Sequence, residues 1–205
     1  MISLSEAEIS DRLREALEND PDDPLLEFPL IREFVSAEPK PAAVLIPLLV
    51  IDSSWHVLFT VRNTDLPEHS GQVAFPGGRA DPGDASPVET ALRETYEEIG
   101  VRPEDIRVLG RLRKYLTITN YMVTPIAGVI PWPYPIIPAT HEVSRIFTIP
   151  LNWLADPGNH EEHQRQLAEQ DPPVQVIYFL PYENEVLWGA SARFTLALLH
   201  ALKLT

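Results

Sequence analysis

An arginine and three glutamates, Arg93, Glu94, Glu97 and Glu98, lie within six consecutive residues, and their spacing decides what they can do together. On a helix turning about 100° per residue, the three carboxylates share one face, while Val88, Leu92, Thr95, Tyr96 and Ile99 cover the other. Like charges three or four residues apart cost roughly a few tenths of a kcal/mol per pair in a bare helix. A divalent cation held between them reverses that cost. All-oxygen ligation suits Mg2+ or Mn2+, with substrate phosphates serving as further ligands. Arg93 reaches Glu97 one turn on, and its guanidinium fork can fix the carboxylates in a defined geometry. Taken alone, the same helix also reads as an ordinary solvated face carrying Glu89–Arg93 and Arg93–Glu97 pairs.

Capping chemistry sets the limits of this helix. Ser86 is a suitable N-cap, Pro87 falls at the first helical position, Glu89 completes a capping box, and Gly100 stands where a left-handed C-terminal cap is wanted. The spacing predicts a helix from Pro87 to Ile99.

The whole string from Gly77 to Val101, GGRADPGDASPVETALRETYEEIGV, resembles the signature of the Nudix hydrolase family. That signature runs Gly, five residues, Glu, seven residues, then Arg-Glu-x-x-Glu-Glu-x-Gly and an apolar residue. Counted from Gly78, five residues lead to Asp84 in place of Glu, and eight residues separate Asp84 from Arg93. The added residue falls before the helix cap, so the register of Arg93, Glu94, Glu97 and Glu98 is untouched.

The resemblance implies that Glu94, Glu97 and Glu98 bind the metal ions, with a backbone carbonyl near Gly77 as a further ligand. Together with the metal chemistry of the glutamates, it points to Glu94, Arg93, Glu98 and Glu142 as the catalytic set. Glu94 and Glu142 are both candidates for the general base. The preceding segment Leu58–Gly78, LFTVRNTDLPEHSGQVAFPGG, resembles coenzyme A diphosphatases of the same family through Leu58, Thr60, Arg62, Leu66, His69, Gly71, Gln72, Phe75 and Pro76. Coenzyme A or a derivative is then the implied substrate, with ADP-ribose, NADH or another nucleoside diphosphate derivative as the alternative. Arg62 sits at the end of a strand near the Gly-Gly loop, where with Gly77 and Gly78 it can meet a substrate phosphate, although the same position also suits an ordinary surface arginine. A homodimer is suggested at the family level.

The elements that must position these residues can be read from pattern. Ala42–Ile51 and Trp55–Val61 flank Asp52-Ser53-Ser54 as a strand, turn and partner strand. Further strands are expected at Ile106–Leu112, Met122–Ile130 and Val174–Leu180, and a terminal helix at Ala190–Leu202. Residues 157–173, which include His160, Glu161, Glu162 and His163, read as an exposed helix or mobile loop, and their spacing matches no metal site. Trp188, Phe194 and Tyr178 are expected in the core. The fold class is α/β (α+β), a Nudix fold with a mixed sheet sandwiched between helices. An N-terminal helix and linker, residues 1–36, should pack on a domain spanning residues 37–205.

Composition narrows the partners. With no cysteine among the 205 residues, disulfides, Cys-ligated zinc and a thiol nucleophile are excluded. A formal net charge of −14 argues against nucleic acid, whose phosphates demand clustered Lys and Arg. The polar amphipathic start, MISLSEAEISDRLREALEND, reads as neither signal peptide nor membrane span, so the cytoplasm is the expected compartment. The expected partner is a small nucleotide diphosphate.

Overall fold

The computed structural model describes residues 2–19, 38–65, 70–166 and 174–205. Leu66 and His69, and the Pro- and Asp-rich linker after the first helix, lie outside the described residues. Helix α1 spans Glu6–Asn19. Strand β1 (Lys40–Ile51) turns back into β2 (Ser54–Arg62) through Asp52 and Ser53, whose φ angles of 48° and 62° are those of a tight hairpin turn matching the strand twist. Two short strands follow, β3 (Val73–Ala74) and β4 (Gly77–Arg79), and then helix α2 at Pro87–Ile99, the limits that capping predicts.

Beyond α2 come β5 (Arg107–Arg111), β6 (Tyr115–Leu116), β7 (Tyr121–Val129) and β8 (Val143–Pro150). The short helix α3 (Leu151–Leu154), strands β9 (His160–Arg165) and β10 (Val174–Phe179), and helix α4 (Gly189–Ala201) complete the order. The described residues form an eight-stranded sheet with the path β3-β2-β1-β7-β5, while β4 pairs β1, β6 pairs β7 and β8 pairs β2. It is mixed because β1 and β7 run parallel from Lys40↔Tyr121 to Leu48↔Val129 and the other pairs are antiparallel.

Alternation along β1 sends its side chains to two cores. Ala43, Leu45 and Leu49 join Ala91 and Ile99 of α2 on one face. Ala42, Ile46 and Leu48 join Ile9 and Leu13 of α1 and Phe194, Leu198 and Leu199 of α4 on the other. Helices therefore cover both faces of the sheet, as expected. Helix α1 is fastened at its rim as well: Glu6 takes both donors of Arg107 at 2.8 and 3.0 Å, and Trp55 Nε1 donates to the Leu4 carbonyl at 2.7 Å.

Two expectations need correction. Residues 160–165 form neither helix nor loop: HEEHQR is strand β9, paired antiparallel with β10 from His160↔Phe179 to Arg165↔Val174. Its polar composition masked a strand whose side chains are almost all exposed and whose order comes from its apolar partner. Tyr178 and Trp188 are half-buried and stack on each other at 5.6 Å, whereas Phe194 does enter the core. No helix among the described residues is long and apolar enough to cross a membrane.

Candidate active site

The site forms where α2 packs against β1 and the short strand β4. Ser86 Oγ accepts the Glu89 N–H at 3.2 Å, and Gly100, in the left-handed conformation, donates to the Tyr96 carbonyl at 2.9 Å. The Glu89 carboxylate does not return to the cap's own N–H. It takes the preceding one, Ala85 N–H, at 2.6 Å.

Gly77 brings β4 against β1. A Cβ there would lie 2.5 Å from the Ala43 carbonyl oxygen and from Val44 Cα, at a φ of +152° that side chains rarely adopt. Gly78 makes room for chemistry of a different kind. Its missing Cβ would stand 2.6 Å from the Glu94 carboxyl, so the glycine leaves a cradle in which that carboxylate rests.

Arg93 is the organiser. Its guanidinium binds Glu94 Oε1 at 2.9 Å and Glu97 Oε2 at 3.3 Å, the reach one turn on that spacing predicts. It also grips Asp84 with two donors at 3.1 and 2.9 Å, and donates to the Arg79 carbonyl at 3.1 Å. Asp84, the residue that departs from the family pattern, is thereby a loop lock: it accepts from Thr90 Oγ1 and from the Asp81 N–H, both at 2.9 Å. With Arg93 and the Asp81 N–H both donating to it, the Asp84 carboxyl is held well below the usual carboxylate range. The extra residue in the loop is absorbed without disturbing the helix.

The acidic face is less exposed than the helical wheel suggests. Tyr96 is turned out to solvent at 53% exposure, while Glu98 is only 5% exposed and packs with the inward stripe of Ala91, Thr95 and Ile99. Burial pushes the Glu98 carboxyl up to about 8, and the nearby charges of Glu142 and Glu94 push the same way. The Gly77 N–H, 3.5 Å from Glu98 Oε1, and the charge of Arg62 oppose them. Glu94 is raised too, by burial first and by Glu97 and Glu142, against Arg93. Carboxylates that raise one another in a half-buried pocket are a hard, all-oxygen donor set short of positive charge, which suits a divalent cation. In this arrangement Glu97 stays 55% exposed on Arg93, and among the described residues no three carboxylate or imidazole groups converge on one point.

Glu142, named from the sequence as a candidate base, arrives on a proline-rich strap whose anchoring to α2 and β2 the sequence did not reveal. Its backbone N–Hs at Ile137 and Ala139 donate to the carbonyls of Ile99 and Glu98 at 3.0 and 2.8 Å, satisfying the end of α2. Asn63 then ties the strap to β2, donating its N–H to the Glu142 carbonyl at 2.7 Å and its amide to the Thr140 carbonyl at 2.6 Å. The prolines of PWPYPIIPATHE, each lacking an N–H, were the available signal for a segment that leaves its few donors to other elements. Arg62, at the end of β2, donates its backbone N–H to the Gln72 carbonyl at 3.0 Å and keeps a buried Nε with no hydrogen-bond partner. Such an atom wants an anionic oxygen.

Comparison with known proteins agrees with this arrangement. The NUDIX domain model matches residues 39–175. A protein named uncharacterized Nudix hydrolase NudL, from Shigella flexneri serotype 5b (strain 8401), is 37% identical over 174 residues, covering 83% of this chain and 88% of its own. Its namesake from Yersinia pestis (strain Pestoides F) is 36% identical over 162 residues, 78% of each chain. The solved MutT/nudix family protein from Enterococcus faecalis shares the fold at a TM-score of 0.55 and 17% identity, covering 98% of this chain and 76% of its own. With the domain matched from before β1 into β10, and the Gly-Gly loop, Arg93 and the glutamates of α2 in place, the chain belongs to the NUDIX domain family, as a Nudix hydrolase.

Proposed function

We propose that this site hydrolyses the diphosphate linkage of coenzyme A or a derivative, releasing 3′,5′-ADP and 4′-phosphopantetheine. The observation that carries the reading is Arg62: it lies in the Leu58–Gly78 segment that resembles coenzyme A diphosphatases, and its partnerless buried Nε stands near Glu98. Glu94, Glu97 and Glu98, with the Gly77 carbonyl, would hold Mg2+ or Mn2+, hard cations that their oxygens fit. When bound, such a cation offsets the charge that builds on the diphosphate and lowers the pKa of the attacking water.

The chain's own groups do the rest. Arg62 and the backbone at Gly77 and Gly78 orient the diphosphate, Arg93 holds Glu94 and Glu97 in place, and a carboxylate takes the proton as water attacks one phosphorus and the bridging P–O bond breaks. Glu94 and Glu142, whose charges both act on Glu98, are the two candidates for that role. Gly78→Ala tests the cradle: the displaced group is the far end of a flexible side chain, so the variant should fold normally. Shifting Glu94 by about 1 Å should lower kcat about a hundredfold. An unchanged kcat would remove Glu94 from the chemistry.

A substrate panel tests the specificity. Coenzyme A, ADP-ribose and NADH are offered with Mg2+ or Mn2+, and release of 3′,5′-ADP from the first and of AMP from the other two is followed. Best kcat/KM on coenzyme A supports the reading. Preference for ADP-ribose or NADH keeps the hydrolase and overturns the coenzyme A assignment.

A further inference from the structure

The sheet face away from α2 carries a cavity of about 150 Å3 between β7, β10 and α4. Its apolar wall, Ile177, Phe194 and Leu196, belongs to the core shared with α1. Its polar lining reverses the sign of the molecule. The chain has 16 Lys and Arg against 30 Asp and Glu, yet Arg113, Lys114 and Arg193 meet at this cavity with His200, and among the described residues of its lining the one carboxylate is that of Glu162.

Local structure explains the convergence. Arg193 and His200 are seven residues apart on α4, two helical turns, and so lie on the same stripe. Arg113 and Lys114 come from the connection between β5 and β6. Tyr115 sits edge-on to Phe194 at 5.5 Å and carries Arg193 over its ring at 6.0 Å, so this guanidinium is held by packing.

We infer that this cavity is a binding site for a phosphomonoester, separate from the carboxylates of α2: Arg113, Lys114 and Arg193 take the phosphoryl oxygens, and Glu162 accepts a hydroxyl of the attached sugar. Guanidinium forks match phosphate oxygens in pairs, and an arginine with several donors keeps this capacity while holding another partner. The volume admits a phosphoryl group with a sugar-sized appendage. Pro125, on the cavity wall, pairs with Val44, which pairs with Gly77, so the catalytic loop lies only two strands away, roughly 10 Å across the sheet. Hydrolysis of a diphosphate leaves a phosphomonoester at each end, so the site is placed to register product. That consequence rests on the proposed reaction, whereas binding itself does not.

The test uses the full chain with chelator present, so that binding is read independently of turnover. Inorganic phosphate and ribose 5-phosphate are titrated by calorimetry against the wild type, Arg113→Gln, Lys114→Gln, Arg193→Gln and Glu98→Gln, with circular dichroism on each. Saturable one-to-one binding is expected, weakened roughly tenfold or more by Arg113→Gln and Lys114→Gln, which sit on a connection, and by Arg193→Gln, and unchanged by Glu98→Gln. Tighter ribose 5-phosphate supports a sugar phosphate as ligand, and equal affinities support free phosphate. The inference is overturned by absence of saturable binding, by affinity that ignores the connection variants, or by loss in Glu98→Gln.

Discussion

Glu98→Gln is expected to lower kcat by about a thousandfold or more with Mg2+ or Mn2+, while leaving the folded structure intact. Glutamine keeps the volume that Ala91, Thr95 and Ile99 pack around, and its amide oxygen can still face the Gly77 N–H. What it removes is the charge. Glu98 is the most buried glutamate of the site, so its ionised form gains most from a cation and suffers most without one. Glu97→Gln makes a useful contrast, because that carboxylate is 55% exposed and its pair with Arg93 is worth at most about 1 kcal/mol to folding. Steady-state kinetics on both variants, beside circular dichroism, would settle the matter; Glu98→Gln within a few-fold of wild type would falsify the placing of Glu98 in the chemistry.

The elements that carry this site are largely legible in the sequence. Ser86, Pro87, Glu89 and Gly100 mark both ends of α2 because each satisfies a backbone group that the helix leaves orphaned, and such chemistry is local. The β1–β2 hairpin was legible for the same reason. The inward turn of Glu98 was not, because a helical wheel ranks residues by apolarity and cannot know that β4 passes beside this position. Nor was the role of Asp84, whose partners Arg93 and Thr90 lie nine and six residues on across a loop.

Tertiary pairing explains what remained hidden. Strand β9 has a composition that propensity assigns to solvent, and only its pairing with β10 makes it a strand. The strap that delivers Glu142 joins Asn63 and α2 through backbone hydrogen bonds, which side-chain patterns do not report. The cationic cavity is likewise assembled from the β5–β6 connection, β9 and α4, segments far apart in the chain.

In the metal-free protein, stability should fall as pH rises from about 5 to about 8, and Glu98→Gln should remove most of that slope. The folded Glu98 carboxyl titrates near 8 and its ordinary value is 4.5. Across that window the folded state keeps a proton that the unfolded chain has released, so each rise in pH favours unfolding. Glu94, also raised, adds in the same direction. The depressed Asp84 carboxyl works the other way, stabilising above its ordinary value of 3.8 and losing that only as pH falls further, outside this window. The cost at pH 8 is on the order of a few kcal/mol, which for a chain of 205 residues lowers Tm by roughly 10 °C. A divalent cation should reverse the trend, since it binds only the ionised carboxylates and stabilises the fold by mass action. Thermal melts at pH 5 and 8, with chelator and with Mg2+ or Mn2+, therefore carry a signature that no surface acid can imitate. The cation should raise Tm far more at pH 8 than at pH 5 in the wild type, and do so much less in Glu98→Gln, whereas equal shifts in the two proteins would place the ion away from Glu98.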